Sequence, residues 1–169
     1  MKILAGRFKG IPIKMSIKMP YRPTKSRVRK SIFDKLVPFH YSSVLDLFSG
    51  SGIMGLEASS RGASFVTFVE KHGKSLALMK ENSLKFHGVD YSFIKMDVFS
   101  FLKEGRFFDL IFADPPYGRF DLETLVGTIY ERLNKNGKLI LECEKSQAPF
   151  FDADVTDYGK TRILTWTNL

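Results

Sequence analysis

The stretch that decides the fold is Asp46-Leu47-Phe48-Ser49-Gly50-Ser51-Gly52-Ile53-Met54-Gly55. Residues 44–48 are nearly all apolar, the pattern of a short strand buried on both faces. The chain then meets glycines at 50, 52 and 55, spaced G-x-G-x-x-G, and enters an apolar-periodic helix over 53–61 that Gly62 ends. Glycines permit a tight turn and let a ligand approach the backbone, and the start of the helix presents free N–H groups. Glu70 lies twenty residues after Gly50, at the end of the next apolar stretch. A carboxylate there can accept hydrogen bonds from both hydroxyls of a ribose. A ligand-free glycine turn would not call for it.

Outward from this unit the same alternation repeats. Strands are expected over 65–70, 91–97, 108–113 and 138–142, and helices over 74–86, around 99–103 and over 122–133, the last stopping at Asn136-Gly137. Two closing strands, 155–158 and 162–167, are joined through Gly159. Alternating elements with apolar strands predict a single α/β domain, a doubly wound, Rossmann-like and mostly parallel sheet covered on both faces. The paired strands at the end predict an antiparallel edge. Before the sheet, Ile3 to Ile13 reads as a hairpin punctuated by Gly6 and Gly10. Thr24 reads as the N-cap of a basic helix over 25–36 that buries Val28, Ile32, Phe33 and Leu36. Sheets of this kind bind ligands beyond the carboxyl ends of their strands, so chemistry is expected just after Phe48, Val69, Met96 and Phe112.

Composition narrows the function classes. The 169 residues can build one real core without staples. Cys143 is the single cysteine, so no internal disulfide is possible, and His40, His72 and His87 are scattered; no metal is expected. No apolar stretch approaches the ~20 residues of a membrane span, and no signal peptide is evident, so a cytoplasmic protein without a membrane partner is expected. The net charge of +8 is lopsided: residues 1–40 carry eleven Lys/Arg against Asp34 alone, whereas the remainder carries fifteen Lys/Arg against seventeen acids. The asymmetry predicts a basic extension, 1–40, on the nucleic-acid side of a near-neutral core, 41–169. A solvated basic face is the plainer alternative. Arg22, Arg27 and Arg29, clustered around the turn at Thr24, are the candidate RNA or active-site contacts.

Two details favour S-adenosylmethionine over a dinucleotide. Asp46 precedes the glycines, where it can face the ammonium of a bound amino acid and where a pyrophosphate would be repelled. Asp97 ends the third strand, where it can accept from an adenine amino group or simply cap the helix beginning at Val98. With Phe48, Gly50, Gly52, Glu70 and Val98, these form the expected cofactor site.

Asp114-Pro115-Pro116-Tyr117 directly follows the strand 108–113. An exocyclic amino nitrogen on a base is a poor nucleophile, because its lone pair is delocalised into the ring. As it attacks a sulfonium methyl it gains positive charge and moves toward tetrahedral geometry, so a catalyst should offer acceptors to its two N–H groups. The Asp114 carboxylate can take one and the Pro115 carbonyl the other. Pro116 stiffens the turn with Pro115, and Tyr117 offers a face on which a base out of its helix can stack.

These motifs resemble class I amino-methyltransferases, and the flanks narrow the resemblance. Ile3-Leu4-Ala5-Gly6 with Lys9-Gly10, Arg22-Pro23-Thr24 with Arg27-Val28-Arg29, Tyr117-Gly118 and Tyr158-Gly159-Lys160-Thr161-Arg162 are similar to segments of RsmD-type enzymes. The resemblance spans essentially the whole chain. It implies a class I methyltransferase fold and methylation of N2 of a guanine in small-subunit (16S) ribosomal RNA. It further implies that Asp114 to Tyr117 grip guanine, that Gly50, Gly52, Glu70 and Asp97 hold the cofactor, and that Arg22 and Thr24 border the active site. The partner is then ribosomal RNA or the small subunit, and a monomer is expected. Lys30 departs from the family's Arg-Val-Arg-Glu pattern, which leaves any role of that acid unfilled. A DNA adenine-N6 methyltransferase shares the four-residue turn, but the chain has no length for a DNA target-recognition domain. An NAD-dependent oxidoreductase would leave the turn and the basic segment unexplained. A non-catalytic RNA-binding protein would not need both motifs intact.

Overall fold

The computed structural model describes residues 1–15 and 26–169. In chain order the elements are α1 (Ser26–Asp34), β1 (Ser43–Leu47), α2 (Ile53–Arg61), β2 (Phe65–Val69), α3 (Gly73–Ser83), β3 (Asp90–Ile94), α4 (Val98–Leu102), β4 (Phe108–Ala113), α5 (Leu122–Tyr130), β5 (Leu133–Glu144), β6 (Asp154–Tyr158) and β7 (Thr161–Thr167). The seven strands form one sheet in the order β3-β2-β1-β4-β5-β7-β6. The first five are mutually parallel, and β7 runs antiparallel to β5 and β6. The strand order reverses between β1 and β4, the place where a doubly wound sheet opens a crevice.

Two apolar clusters cover the two faces of the sheet. Val44, Val66, Phe68, Leu110, Phe112 and Ile140 pack on one side, and Leu45, Leu47, Ile111, Leu139, Leu141 and Leu164 on the other. The first cluster also takes Ile3, Ile13, Val28, Ile32 and Phe33. The segment before residue 40 therefore shares the core of the body. The expected hairpin is a loop closed by backbone bonds between Ile3 and Ile11 and by one bridge, Lys2 to Pro12. Gly6, at φ +84°, lies so close to α2 that a Cβ would stand 1.9 Å from the Ser60 carbonyl oxygen.

Two helices are shorter than their periodicity suggests. The third, α3, stops at Ser83, and Phe86 turns back to meet Phe8 edge-on with ring centroids 4.9 Å apart. The fifth, α5, stops at Tyr130, because Leu133 already pairs with Phe108 as the start of β5. Asn136-Gly137 is thus an irregularity inside the strand, with Asn136 at φ +63° and the register shifting between Phe108 and Leu110. The closing hairpin turns at Gly159, at φ +61°, as expected of the first residue of a two-residue mirror turn.

The basic excess of the first quarter is partly consumed by the fold. Lys14 pairs with Glu81 of α3, and Lys30 bonds Asp34 at 2.6 Å one turn along α1. Arg29 corrects an expectation: it is 0% exposed, donates from Nη2 to the Lys2 carbonyl at 2.8 Å, and has Nε 3.5 Å from Glu57. It braces the N-terminal loop against α2 and is not an RNA contact. Arg27 is exposed on the same helix. Arg22 and Thr24 lie outside the described residues.

Candidate active site

The parallel register puts the two motifs side by side. Leu47 pairs with Ala113, so the glycine loop leaves β1 beside the Asp114 turn that leaves β4. The chain departs from β1 through Phe48, a non-glycine residue at φ +56°, then Gly50 at +52° and Gly52 at +73°. Left-handed backbone at Phe48 is costly for an L side chain and tends to be kept where a site needs it. A Cβ on Gly52 would stand 2.7 Å from Met79 Cγ, and one on Gly55 2.4 Å from Phe68 Cε1. The last glycine therefore serves close packing of α2 on β2.

Both carboxylates that flank the loop shape it. Glu70 Oε2 accepts from the Gly50 N–H at 3.0 Å, and Oε1 from the His72 N–H at 2.9 Å. Asp46, 4% exposed, accepts from the Gly55 N–H through Oδ2 at 2.9 Å. Burial pushes its carboxyl up to about 8, against the pull of that N–H and with a smaller push from Glu70. Asp97 is exposed and caps α4, its Oδ1 accepting from the Ser100 N–H at 3.2 Å; one oxygen remains outside the cap. Val98, behind it, is buried. Sequence reasoning missed an aromatic wall at this end of the sheet. Phe120 meets Phe48 edge-on at 5.2 Å and lies 6.2 Å from Phe99. The only hint was the phenylalanine content, since Phe99 in α4 and Phe120 in the loop before α5 are far apart in sequence.

On the other side of the turn, a cavity of about 190 Å³ is lined by Pro115, Pro116, Tyr117, Glu142, Cys143 and Gln147, among others. Pro115 is buried and Tyr117 is 47% exposed, its hydroxyl bonded to Thr161 at the start of β7. Burial, then the charges of Glu142 and Asp46, hold the Asp114 carboxyl well above the usual carboxylate range. Glu142 also raises the Tyr117 phenol, after burial. It too was missed by sequence reasoning, which treated it as the end of a strand. Pairing of Ala113 with Leu141 sets Asp114 beside Glu142, on the sheet face of Phe112 and Ile140.

The N-terminal end of α1 points to this rim. Ser31 bonds Tyr158 and Lys35 bonds Thr156, and through β7 these two partners lie level with Glu144 and Glu142 of β5. Leu36 continues toward Lys138 at the amino end of that strand. Arg27 is therefore on the carboxyl side of the sheet, with the turn and the glycine loop. Among the described residues no group of His, Cys, Asp and Glu could hold a metal, and no helix is long and apolar enough to cross a membrane.

Comparison with known proteins agrees with this geometry. The family model described as "Conserved hypothetical protein 95" matches residues 1–164. The Ribosomal RNA small subunit methyltransferase D of Buchnera aphidicola is 31% identical over 163 residues, covering 94% of this chain and 85% of that protein. The protein of the same name from Haemophilus influenzae is 34% identical, covering 86% of this chain and 80% of its own. The solved structure of the putative methyltransferase yhhF from Escherichia coli superposes with a TM-score of 0.86 at 25% identity, over 99% of this chain and 97% of that one. The chain belongs to this family, the RsmD-type, S-adenosylmethionine-dependent methyltransferases of class I fold.

Proposed function

We propose that the protein transfers a methyl group from S-adenosylmethionine to the exocyclic N2 amine of a guanine in small-subunit ribosomal RNA. The observation that carries this reading is the adjacency of the Asp114 turn and the glycine loop at the sheet's switch point. The test is mass-spectrometric mapping of small-subunit RNA from cells with and without the gene. One N2-methylguanosine should vanish with the gene and return when the purified protein is added with the cofactor. Unchanged RNA would overturn the proposal.

The donor set suits the cofactor. Glu70 would hold the ribose, Asp97 the adenine amino group with Val98 and Phe48, and Asp46 the ammonium, while Gly50 and Gly52 would allow close backbone approach. When bound, the cofactor supplies an electrophilic methyl on a sulfonium, which leaves as the neutral thioether. The chain supplies the rest. Asp114 and the Pro115 carbonyl accept the two N–H bonds of the amine and bring its nitrogen out of conjugation. The N2 lone pair forms the new N–C bond while the C–S pair returns to sulfur. The Asp114 carboxylate, whose proton affinity is raised, takes the proton that N2 sheds. Tyr117 stacks on the base.

Glu70→Ala should weaken S-adenosylmethionine binding by about 1.5–3 kcal/mol, the worth of hydrogen bonds to a charged group, with part of the loss due to the freed Gly50 and His72 amides. Isothermal calorimetry reads it, and unchanged affinity rules the role out. Arg27→Gln should weaken RNA binding and flatten the slope of log affinity against log salt by about 0.7, one single-strand phosphate contact. Cofactor affinity should be unchanged. An unaltered slope would place the RNA on another face.

A further inference from the structure

We propose that Glu142 selects the base: its carboxylate accepts the N1–H of the guanine whose N2 amine Asp114 and Pro115 hold. This rests on the reading of the Asp114 turn as the amine-binding site.

Glu142 reaches the site from a different strand than the motif does. The β4–β5 register carries it next to Asp114, on the same sheet face, and it lines the cavity with Pro115 and Tyr117. Tyr117 bonds Thr161, which pairs with Glu144 two residues beyond Glu142, and the Glu142 charge acts on its phenol, so ring and carboxylate are neighbours. Two carboxylates so near each other raise one another's proton affinity and cost stability in the empty protein. At Asp114 burial weighs most against the charge, and the charge of Glu142 comes next, ahead of Asp46. A base that offers N–H donors on adjacent atoms offsets this cost at both carboxylates.

Among the bases that carry an exocyclic amine, guanine alone does so. Its N1–H stands next to its N2 amine, so a carboxylate facing each is satisfied. Adenine and cytosine set a bare ring nitrogen, N1 or N3, beside the amine. A carboxylate there would meet a lone pair, leaving the acceptor that faces the base without a donor, the arrangement by which sites reject analogues most strongly. The turn alone grips any amino group, so discrimination must come from what faces the neighbouring ring atom.

The test compares two small-subunit RNAs, made by ligation with guanine or 2,6-diaminopurine at the methylated position. Diaminopurine keeps the 2-amine, replaces N1–H by a bare nitrogen and turns the 6-oxo group into an amine, a second change that is common to every variant compared. Under single turnover the wild-type protein should methylate guanine about 10- to 100-fold faster, the share of one charge-assisted hydrogen bond. Glu142→Gln can turn its amide to donate to that nitrogen and should shrink the ratio at least about tenfold. Glu142→Asp keeps an acceptor and should hold the ratio within about threefold. A ratio in Glu142→Gln within twofold of wild type would overturn the proposal, as would a wild-type protein that does not distinguish the two RNAs. The ratio is taken within each variant, so a general loss of folding or cofactor binding does not imitate the effect. If wild type methylates neither RNA, the guanine-N2 reading itself fails, and that result is separate from an unchanged ratio.

Discussion

Asp114→Ala should lower single-turnover methylation by about 100- to 1,000-fold, the usual cost of deleting one preorganised partner of a transition state, while S-adenosylmethionine affinity stays near wild type. The carboxylate lies beside the glycine loop but just past the end of the next strand, where the register sets it next to Glu142. Its loss therefore touches the amine and spares the cofactor. Asp114→Asn keeps a carbonyl acceptor but cannot take the proton, so it should fall between wild type and Asp114→Ala. The pH profile separates the two duties. Only the ionised carboxylate accepts an N–H and then a proton, and burial with Glu142 and Asp46 lifts its titration above the usual carboxylate range. Wild-type rates should thus rise with pH through that lifted value, and Asp114→Asn should lose this limb. Equal rates for the Asn and Ala variants, or a collapse of cofactor binding in either, would remove Asp114 from catalysis.

What the sequence disclosed and what it hid divide along a physical line. Local pattern carries the sheet: the helix 53–61 and the strand 108–113 are found at their expected residues, because apolar period and glycine stops act within one element. It also carries the two motifs, since each is contiguous and follows a strand. Pairing is not local. Nothing near Glu142 marks it as a neighbour of Asp114; only the register of β5 on β4 does. The same limit governs Asn136-Gly137, a reliable turn signal that tertiary pairing of Leu133 with Phe108 absorbs into a strand. Charge misled for the same reason. Arg29 looks like Arg27 in sequence, yet a step of two residues along the helix turns it from solvent into the core.

That buried arginine sets the second large effect. Glu57→Ala should destabilise the protein by about 3–5 kcal/mol, the cost of breaking a buried ion pair by removing one partner. Glu57 is 0% exposed on α2. Its Oε2 accepts from the Leu4 N–H at 2.9 Å and its Oε1 from the Ala5 N–H at 3.1 Å and from Arg61 Nε at 3.0 Å, with Arg29 Nε 3.5 Å away. One carboxylate thus ties the N-terminal loop, α1 and α2 together. Alanine would leave the Arg29 guanidinium charged in a site where burial already works against its charge and Glu57 is what sustains it. Two backbone donors would be orphaned as well. For a chain of this size each kcal/mol moves Tm by roughly 2–4 °C, so a fall of about 6–20 °C is expected by calorimetry. Glu57→Gln keeps the shape and one acceptor and should lose less than the alanine variant. Pairing Glu57→Leu with Arg29→Met removes both charges and should recover a large part of the loss, because the penalty lies in the uncompensated guanidinium more than in the missing bond. If the double variant is as unstable as the sum of the singles, the two side chains do not act as a pair, and Glu57 acts on the loop through the Leu4 and Ala5 amides instead.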